Sequence, residues 1–157
     1  GPRGSGKTTL LRSLVQKLCE GDALVSVIDE RGELMACEAG SLPRAAQIRC
    51  DVYARCTKAE GIAMALRCMN PQVIAVDEIT AEEDIRAMCL AANCGVGLLA
   101  SIHAASVDEL HQKPLWRELL RARVFRRCIV ICSNGGGRSF QMGEPAPPPP
   151  TTPRHSV

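Results

Sequence analysis

The chain has 157 residues, of which 46% are hydrophobic and 23% charged, which suits one globular domain with a substantial core. The net charge of +2 is too small to indicate a nucleic-acid binder. No apolar run approaches the ~18 residues that a membrane span needs, and no signal peptide is recognisable, so we expect a cytoplasmic protein.

Hydrophobic spacing in the first half of the chain predicts two helices and two buried strands. The first helix is predicted over about 7–20, and a strand follows over 24–28. Residues 31–57 have no clear period, and we expect a long, partly structured excursion there. The second helix is predicted over about 59–69 and the second strand over 73–76.

The second half of the chain continues this alternation. Residues 80–83 have the pattern of a capping box, which predicts a helix that ends before Gly95, and a third strand follows over 97–102. A second capping-box pattern at 106–109 precedes a helix that begins at Pro114 and runs for about two turns.

The end of the chain predicts a hairpin and a tail. A strand is predicted over 128–132, and Asn134-Gly135 is a hairpin turn signal before a return over 139–142. Strands that alternate with helices predict an α/β fold with a mostly parallel sheet flanked by helices. We assign residues 1–143 to one domain and predict that the Pro-rich residues 144–157 are a disordered tail.

The first eight residues match the phosphate-binding loop G-x-x-x-x-G-K-[ST]. Glycines in such a loop let successive backbone N–H groups turn inward onto an anion, and the following helix points its positive end at the same place. Lys7 is expected to reach the β- and γ-phosphates, and the Thr8 hydroxyl to bind Mg²⁺. The predicted nucleotide-binding residues are Gly1, Pro2, Arg3, Gly4, Ser5, Gly6, Lys7, Thr8 and Thr9.

The loop normally follows a β-strand, and no residue precedes Gly1 here. We therefore expect the chain to be an N-terminally truncated P-loop NTPase domain that lacks the first, central strand of its sheet. Lys7 is also expected to act in catalysis, because its ammonium would lie beside the transferred phosphoryl group.

Residues 73–78 resemble a Walker B strand, in which an apolar run ends in two acids. Asp77 is expected to hold Mg²⁺ and Glu78 to polarise the water that attacks the γ-phosphate. Ligands of parallel sheets bind beyond the carboxyl ends of the strands, so polar residues at those ends should converge on the phosphate loop. The residues in such positions are Asp29, Glu30, Asp77, Glu78, Ser101 and His103.

Two of these strand ends allow more than one interpretation. Asp29 and Glu30 either help to position Mg²⁺ or water, or belong to a solvated loop start, or form a local ion pair with Arg31. His103 either contacts the γ-phosphate or the attacking water, or is structural. We predict a catalytic role for Glu30 and for His103.

Arginines and cysteines also leave alternatives open. Arg49 and Arg55 are either surface charges or groups that complete the site of a neighbouring subunit. A basic cluster over 117–127 is either a solvated helix face, which we favour, or a contact for nucleic acid, anionic lipid or an acidic partner; the scarcity of aromatic residues around it argues against single-strand binding. The nine cysteines contain no C-x-x-C pair, and we interpret them as small buried hydrophobes in a reducing compartment.

Several motifs together resemble the stage III sporulation protein AA family, from Gly1 to about Met142. The motifs are the phosphate loop, Val27-Ile28-Asp29-Glu30-Arg31, Lys58-Ala59-Glu60-Gly61, residues 69–79 with the Asp77-Glu78 pair, and Ser101-Ile102-His103-Ala104. The family is similar to secretion and pilus ATPases, so the resemblance implies a RecA-like core, ATP and Mg²⁺ as ligands, and a hexameric ring. It also implies membrane-channel proteins of the sporulation complex as partners, at the mother-cell side of the inner membrane.

By this resemblance Asp29-Glu30 matches the acidic box of the secretion ATPases, and His103 matches their histidine box. Arg3 replaces the second proline usual in the family's loop, and the family's N-terminal domain is missing, which puts ring assembly in question. Three other functions stay open: an ATPase coupled to nucleic-acid binding, a nucleotide-dependent scaffold without turnover, and a nucleotide kinase.

Overall fold

A computed structural model describes residues 1–35, 48–104, 106–134 and 137–145. The elements in chain order are α1 (Lys7–Glu20), β1 (Val25–Asp29), β2 (Cys50–Ala54), α2 (Lys58–Cys68), β3 (Val73–Glu78), α3 (Glu82–Asn93), β4 (Gly97–Ser101), α4 (Val107–Gln112), α5 (Pro114–Arg121), β5 (Cys128–Asn134) and β6 (Gly137–Gly143).

The main sheet has four parallel strands in the order β2-β1-β3-β4, and β5 and β6 form a separate antiparallel pair. All five residues of β1 are buried, as expected for a strand covered by helices on both faces. The predicted α/β fold with a mostly parallel sheet is confirmed. The turn residue Gly135 lies outside the described residues, as does the tail from residue 146 onward.

Successive residues of the strands enter two different cores. On one face Val25, Val27 and Ala75 pack with Leu11 and Val15 of α1. The opposite face belongs to a second core, whose members come from the sheet and from α2, α3 and α5, and include Ile28, Ile62, Ile74, Val76, Ile85, Met88, Trp116 and Leu119. Among the helices of the described residues, this period of two places α1 on one side of the sheet and α2, α3 and α5 on the other.

Two predictions about elements were wrong. Residues 31–57 contain β2, an edge strand that the sequence analysis missed because its burial alternates only weakly and it includes the charged Asp51. Helix α3 begins at Glu82, with Ala81 as its N-cap, so residues 80–83 are not its capping box. Before the helix, the backbone N–H groups of Thr80 and Ala81 both donate to Asp84 Oδ2, each at 3.2 Å.

The second helix lies within one residue of its predicted bounds, whereas the cysteines depart from expectation. Helix α2 starts with a capping box, in which Glu60 N donates to Thr57 Oγ1 and Thr57 N donates to Glu60 Oε2. Of the eight cysteines in the described residues, Cys68 and Cys94 are exposed and the others are half-buried, so none is a fully buried hydrophobe. Cys37 lies outside those residues.

An apolar cavity of about 210 Å³ lies between the edge strand β4 and the strand β5, under α1. Its walls include Leu11 and Leu14 of α1, Leu99 of β4 and Val130 of β5, and Lys7 also lines it.

None of the helices within the described residues combines the length and the apolar character needed to cross a bilayer.

We expect Gly61→Ala to destabilise the protein although the residue is helical. A Cβ there would lie 2.6 Å from Ile28 Cγ2 and 3.1 Å from Cys56 Sγ, so α2 would have to move away from β1. Helix propensity favours alanine by ~1 kcal/mol, and overpacking costs ~1–3 kcal/mol, so the net loss in urea unfolding should be up to about 2 kcal/mol. Gly21→Ala is the control, since its Cβ would meet only ordinary contacts from 3.4 Å, and an equal loss in both variants would contradict the packing argument.

Candidate functional site

The loop that precedes α1 has the backbone of an anion cradle. Gly4 and Gly6 have φ of 73° and 96°, in the left-handed region that favours glycine. Gly6 is the N-cap of α1 and offers no side-chain acceptor, and the first turn of the helix has no acidic residue. The N–H groups at this end of α1 are therefore left for an external acceptor, with the positive end of the helix dipole behind them.

The residues of the loop differ in how far they are buried. Ser5 is buried, and its Oγ has no hydrogen-bond partner among the described residues. Lys7 Nζ donates to Pro2 O at 2.9 Å, which leaves the ammonium two further donors. Thr8 is half-buried. The remaining predicted ligands, Pro2, Arg3, Gly4 and Thr9, are exposed, and Gly1 is half-buried.

Asp77 lies at a break in the sheet register. The pairing of β3 with β4 shifts between Val76 and Glu78, so Glu78 stands opposite Ser101. Such irregularities re-aim side chains at functional edges of sheets. Ser101 Oγ donates to Asp77 Oδ1 at 3.4 Å, and Asp77 is 9% exposed.

Burial raises the pKa of Asp77 above the ordinary value of an aspartate. A hydrogen bond from the backbone of Glu78 opposes that shift, and the charges of Asp29, Glu33 and Glu78 add to it. A cation beside Asp77 would therefore be favoured, because it would offset both the burial and the neighbouring negative charges. Glu33 was not predicted, because it comes four residues after the end of β1 with no pattern to mark it.

Asp29 has a structural role in this arrangement. It is fully buried, and its two carboxylate oxygens accept the N–H groups of Leu34 at 3.1 Å and Met35 at 2.8 Å. The same segment is tied to α1, because Arg12 donates to Leu34 O at 2.6 Å and to Glu33 O at 3.0 Å. The loop after β1 is thus folded back onto the helix that carries the phosphate loop.

Glu30 contacts a residue that the sequence analysis did not single out as a site residue. Its Oε2 accepts a hydrogen bond from Lys58 Nζ, and the ammonium also lies 3.9 Å from Asp84 Oδ2. The structure thus pairs Glu30 with Lys58 and not with its neighbour Arg31. A catalytic role for Glu30 stays a prediction.

The phosphate loop and the acids belong to one edge of the molecule. Lys7 and Ser101 line the same cavity, and Ser101 in turn donates to Asp77. The other predicted residues are less engaged: His103 is exposed and follows β4 by two residues, and Arg49 and Arg55 are exposed beside β2. Arg55 has φ of 60°, a left-handed backbone at the carboxyl end of that strand.

Arg138 of β6 is a further cation at the loop, and no motif or spacing singles it out. A Cβ built on Gly6 would lie 3.1 Å from Arg138 Nη1 and 3.3 Å from its Cζ, so the guanidinium rests against the loop backbone. Only the pairing of β5 with β6 brings this residue there.

Two oxygen donors in this region suit a hard divalent cation, the hydroxyl of Thr8 and the carboxylate of Asp77. No group of three or more histidine, cysteine or acidic side chains in the described part of the chain is arranged to hold a metal ion by itself. That donor set fits Mg²⁺, which usually takes one or two protein ligands and completes its shell with water and phosphate oxygens.

A sequence profile for sporulation stage III, protein AA, matches residues 1–142. The chain belongs to this family. The curated relative named stage III sporulation protein AA, from Bacillus subtilis strain 168, is 37% identical over 148 residues, a match that covers 90% of this chain and 48% of the relative. The chain therefore spans about half the length of that curated relative.

Solved structures of three ATPases or motors share the fold, each with a TM-score of 0.64. They are the Legionella pneumophila ATPase DotB (20% identity, 90% of this chain and 42% of that one), the VirB11 ATPase of the Brucella suis type IV secretion system in complex with sulphate (23%, 92% and 46%), and the pilus retraction motor PilT with bound ADP (20%, 96% and 46%). The fold is thus a P-loop NTPase fold with a RecA-like core.

Proposed function

We propose that the protein is a Mg²⁺-dependent ATPase that serves as the motor or assembly ATPase of a sporulation channel related to secretion systems. One observation carries the proposal: Lys7 and Ser101 line the same cavity, and Ser101 donates a hydrogen bond to Asp77. A loop suited to bind an anion therefore lies near an acid that suits a cation. The family membership and the shared fold support the same function.

The proposed ligands fit the residues that are present. The backbone of Gly1–Thr9 and the ammonium of Lys7 would bind the phosphates of ATP, and the open space at Gly4 leaves room for them. Thr8 and Asp77 would hold Mg²⁺, which when bound supplies charge neutralisation to the β- and γ-phosphates. The raised pKa of Asp77 is consistent with this role, because a cation offsets the cost of its buried charge.

Glu78 is proposed as the group that orients and deprotonates the attacking water. It directly follows the metal ligand in β3, is half-buried, and stands at the register shift. Lys7 would stabilise the charge that develops on the transferred phosphoryl group. His103 and Glu30 are proposed as secondary groups of the same edge, His103 as a contact to phosphate or water and Glu30 as a positioning acid.

Assembly and location are also part of the proposal. We propose a ring of subunits, hexameric by the family resemblance, that docks on channel proteins at the cytoplasmic face of the mother-cell membrane. Arg49 and Arg55 are candidates for arginines that reach a neighbour's site, because both are exposed on the edge strand side of the sheet.

The direct test is to measure ATP binding and phosphate release by the purified protein with Mg²⁺ and with a chelator. We expect saturable binding of Mg·ATP and turnover that stops when the metal is removed. Specific activity that rises with protein concentration would support action between subunits. No binding at millimolar nucleotide would contradict the proposed function, and tight binding without turnover at any protein concentration would favour a nucleotide-dependent scaffold.

A further inference from the structure

Lys58 occupies a position that is unfavourable for a lysine unless it has a specific task. Its side chain is only 6% exposed, and it is the first residue of α2, where the helix dipole repels a cation. A buried ammonium costs several kcal/mol unless it is paired and hydrogen-bonded. Both of its partners are carboxylates: Glu30, with which it forms a hydrogen bond, and Asp84, with its Oδ2 at 3.9 Å.

The two carboxylates belong to different strand exits. Glu30 directly follows β1, at the start of the loop that α1 holds through Arg12. Asp84 is in the first turn of α3 and accepts the N–H groups of Thr80 and Ala81, which follow Glu78 by two and three residues. Lys58 therefore stands between the loop after β1 and the loop after β3.

The backbone of Lys58 is itself fixed. The capping box of Thr57 and Glu60 closes the start of α2, and Gly61 lets the helix lie directly on Ile28 of β1. Movement of the ammonium relative to the sheet is therefore restricted at its base as well as at its tip. Glu30 is 39% exposed, so the lysine is what holds its carboxylate in one orientation.

We propose that Lys58 is a positioning residue that locks the two strand exits together and so fixes Asp77 and Glu78 for hydrolysis. The proposal rests on the proposed ATPase function, since the reaction it serves is the one assigned to Glu78. The residue acts through Glu30 and Asp84 and touches neither nucleotide nor metal. Its loss should lower turnover much more than nucleotide binding.

The first test is Lys58→Met, which keeps the length of the side chain and removes its charge. We expect kcat to fall roughly 10- to 100-fold, as for a misplacement of ~1 Å, while the Kd for ATP changes by less than about threefold. The matched control is Lys113→Met, which removes a lysine at the N-cap of α5 that pairs with Glu109 at 2.7 Å but is 43% exposed. An unchanged kcat in Lys58→Met, or equal losses in kcat and ATP affinity, would overturn the proposal.

A second variant covers the case in which Lys58→Met fails to fold. Asp84→Asn retains an oxygen for the N–H groups of Thr80 and Ala81 but removes the attraction to the ammonium. We expect a smaller fall in kcat of the same kind, and a double variant no slower than Lys58→Met alone. Multiplication of the two single losses in the double variant would show that the residues act independently and would contradict the link.

Hydrogen exchange at backbone amides tests this inference independently of the proposed ATPase function. We expect Lys58→Met to increase hydrogen exchange at Thr80 and Ala81 and to leave α1 unchanged. If the normal protein hydrolysed no ATP, the ATPase proposal would fail, and faster exchange at these two amides would still support the lock. Unchanged exchange there would reject the lock whatever the activity.

Discussion

Replacement of Glu78 by glutamine should abolish ATP turnover and spare ATP binding. The change keeps the size of the side chain at the register shift of β3 and removes only the carboxylate that would accept a proton from water. General-base catalysis contributes roughly 10²- to 10⁴-fold, so we expect kcat to fall by at least ~100-fold with Kd for Mg·ATP within about threefold. Single-turnover kinetics would place the loss in the chemical step.

The control for Glu78 is Glu82→Gln, a carboxylate at the start of α3 that is exposed and pairs with Arg86 at 3.3 Å. We expect that variant to be unaffected, because exposed ion pairs contribute about 0–1 kcal/mol. Normal hydrolysis by Glu78→Gln would mean that another group activates the water, and Glu33 would be the next candidate because its charge acts on Asp77.

Replacement of Lys7 by alanine should weaken ATP binding strongly. The loop carries two cationic side chains, the exposed Arg3 and the half-buried Lys7 at the first position of α1, and the exposed Arg138 approaches Gly6 from β6. Hydrogen bonds to charged groups contribute ~1.5–3 kcal/mol each, so we expect ATP affinity to fall by roughly 100-fold. Titration calorimetry with a slowly hydrolysed analogue would measure the loss directly.

Lys17→Ala is the matched control for Lys7, on the same helix but in its last turn, with a side chain 78% exposed. We expect normal affinity and nearly normal stability in that variant. A thermal melt of Lys7→Ala is also needed, because the variant loses the bond from Nζ to Pro2 O. An unfolded variant would say nothing about phosphate binding, whereas a folded variant with full ATP affinity would contradict the assigned role of the loop.

The parts of the fold that the sequence predicted are those with strong local patterns. Helix α1 has the predicted bounds because its apolar spacing is regular and Gly21 follows it, and β1 and β3 are short runs buried on both faces. Edge strand β2 lacks that signal, because an edge needs neither full burial nor strict alternation. The start of α3 was misplaced because several acids in a row offered more than one capping pattern, and in the structure Asp84 is the acid that accepts the N–H groups before the helix.

The same contrast between local patterns and contacts across the chain applies to the candidate site. The phosphate loop and the Asp77-Glu78 pair are local motifs, so the sequence predicts them as site residues from spacing alone, and their roles stay predictions. The contacts of Glu30 with Lys58 and of Gly6 with Arg138 join distant parts of the chain, so no spacing in the sequence could reveal them. The role of Asp29 could not be read from the sequence, because an aspartate after a strand can bind a metal ion or accept backbone N–H groups. In the structure its carboxylate accepts two such groups.

The approach of Arg138 to Gly6 has a consequence for how this domain can be shortened or labelled. Gly6 has a positive φ, and the guanidinium of Arg138 lies against it, so the β5–β6 ribbon supports the backbone of the phosphate loop. Deletion of the ribbon, or attachment of a bulky probe to it, should therefore weaken anion binding at the loop.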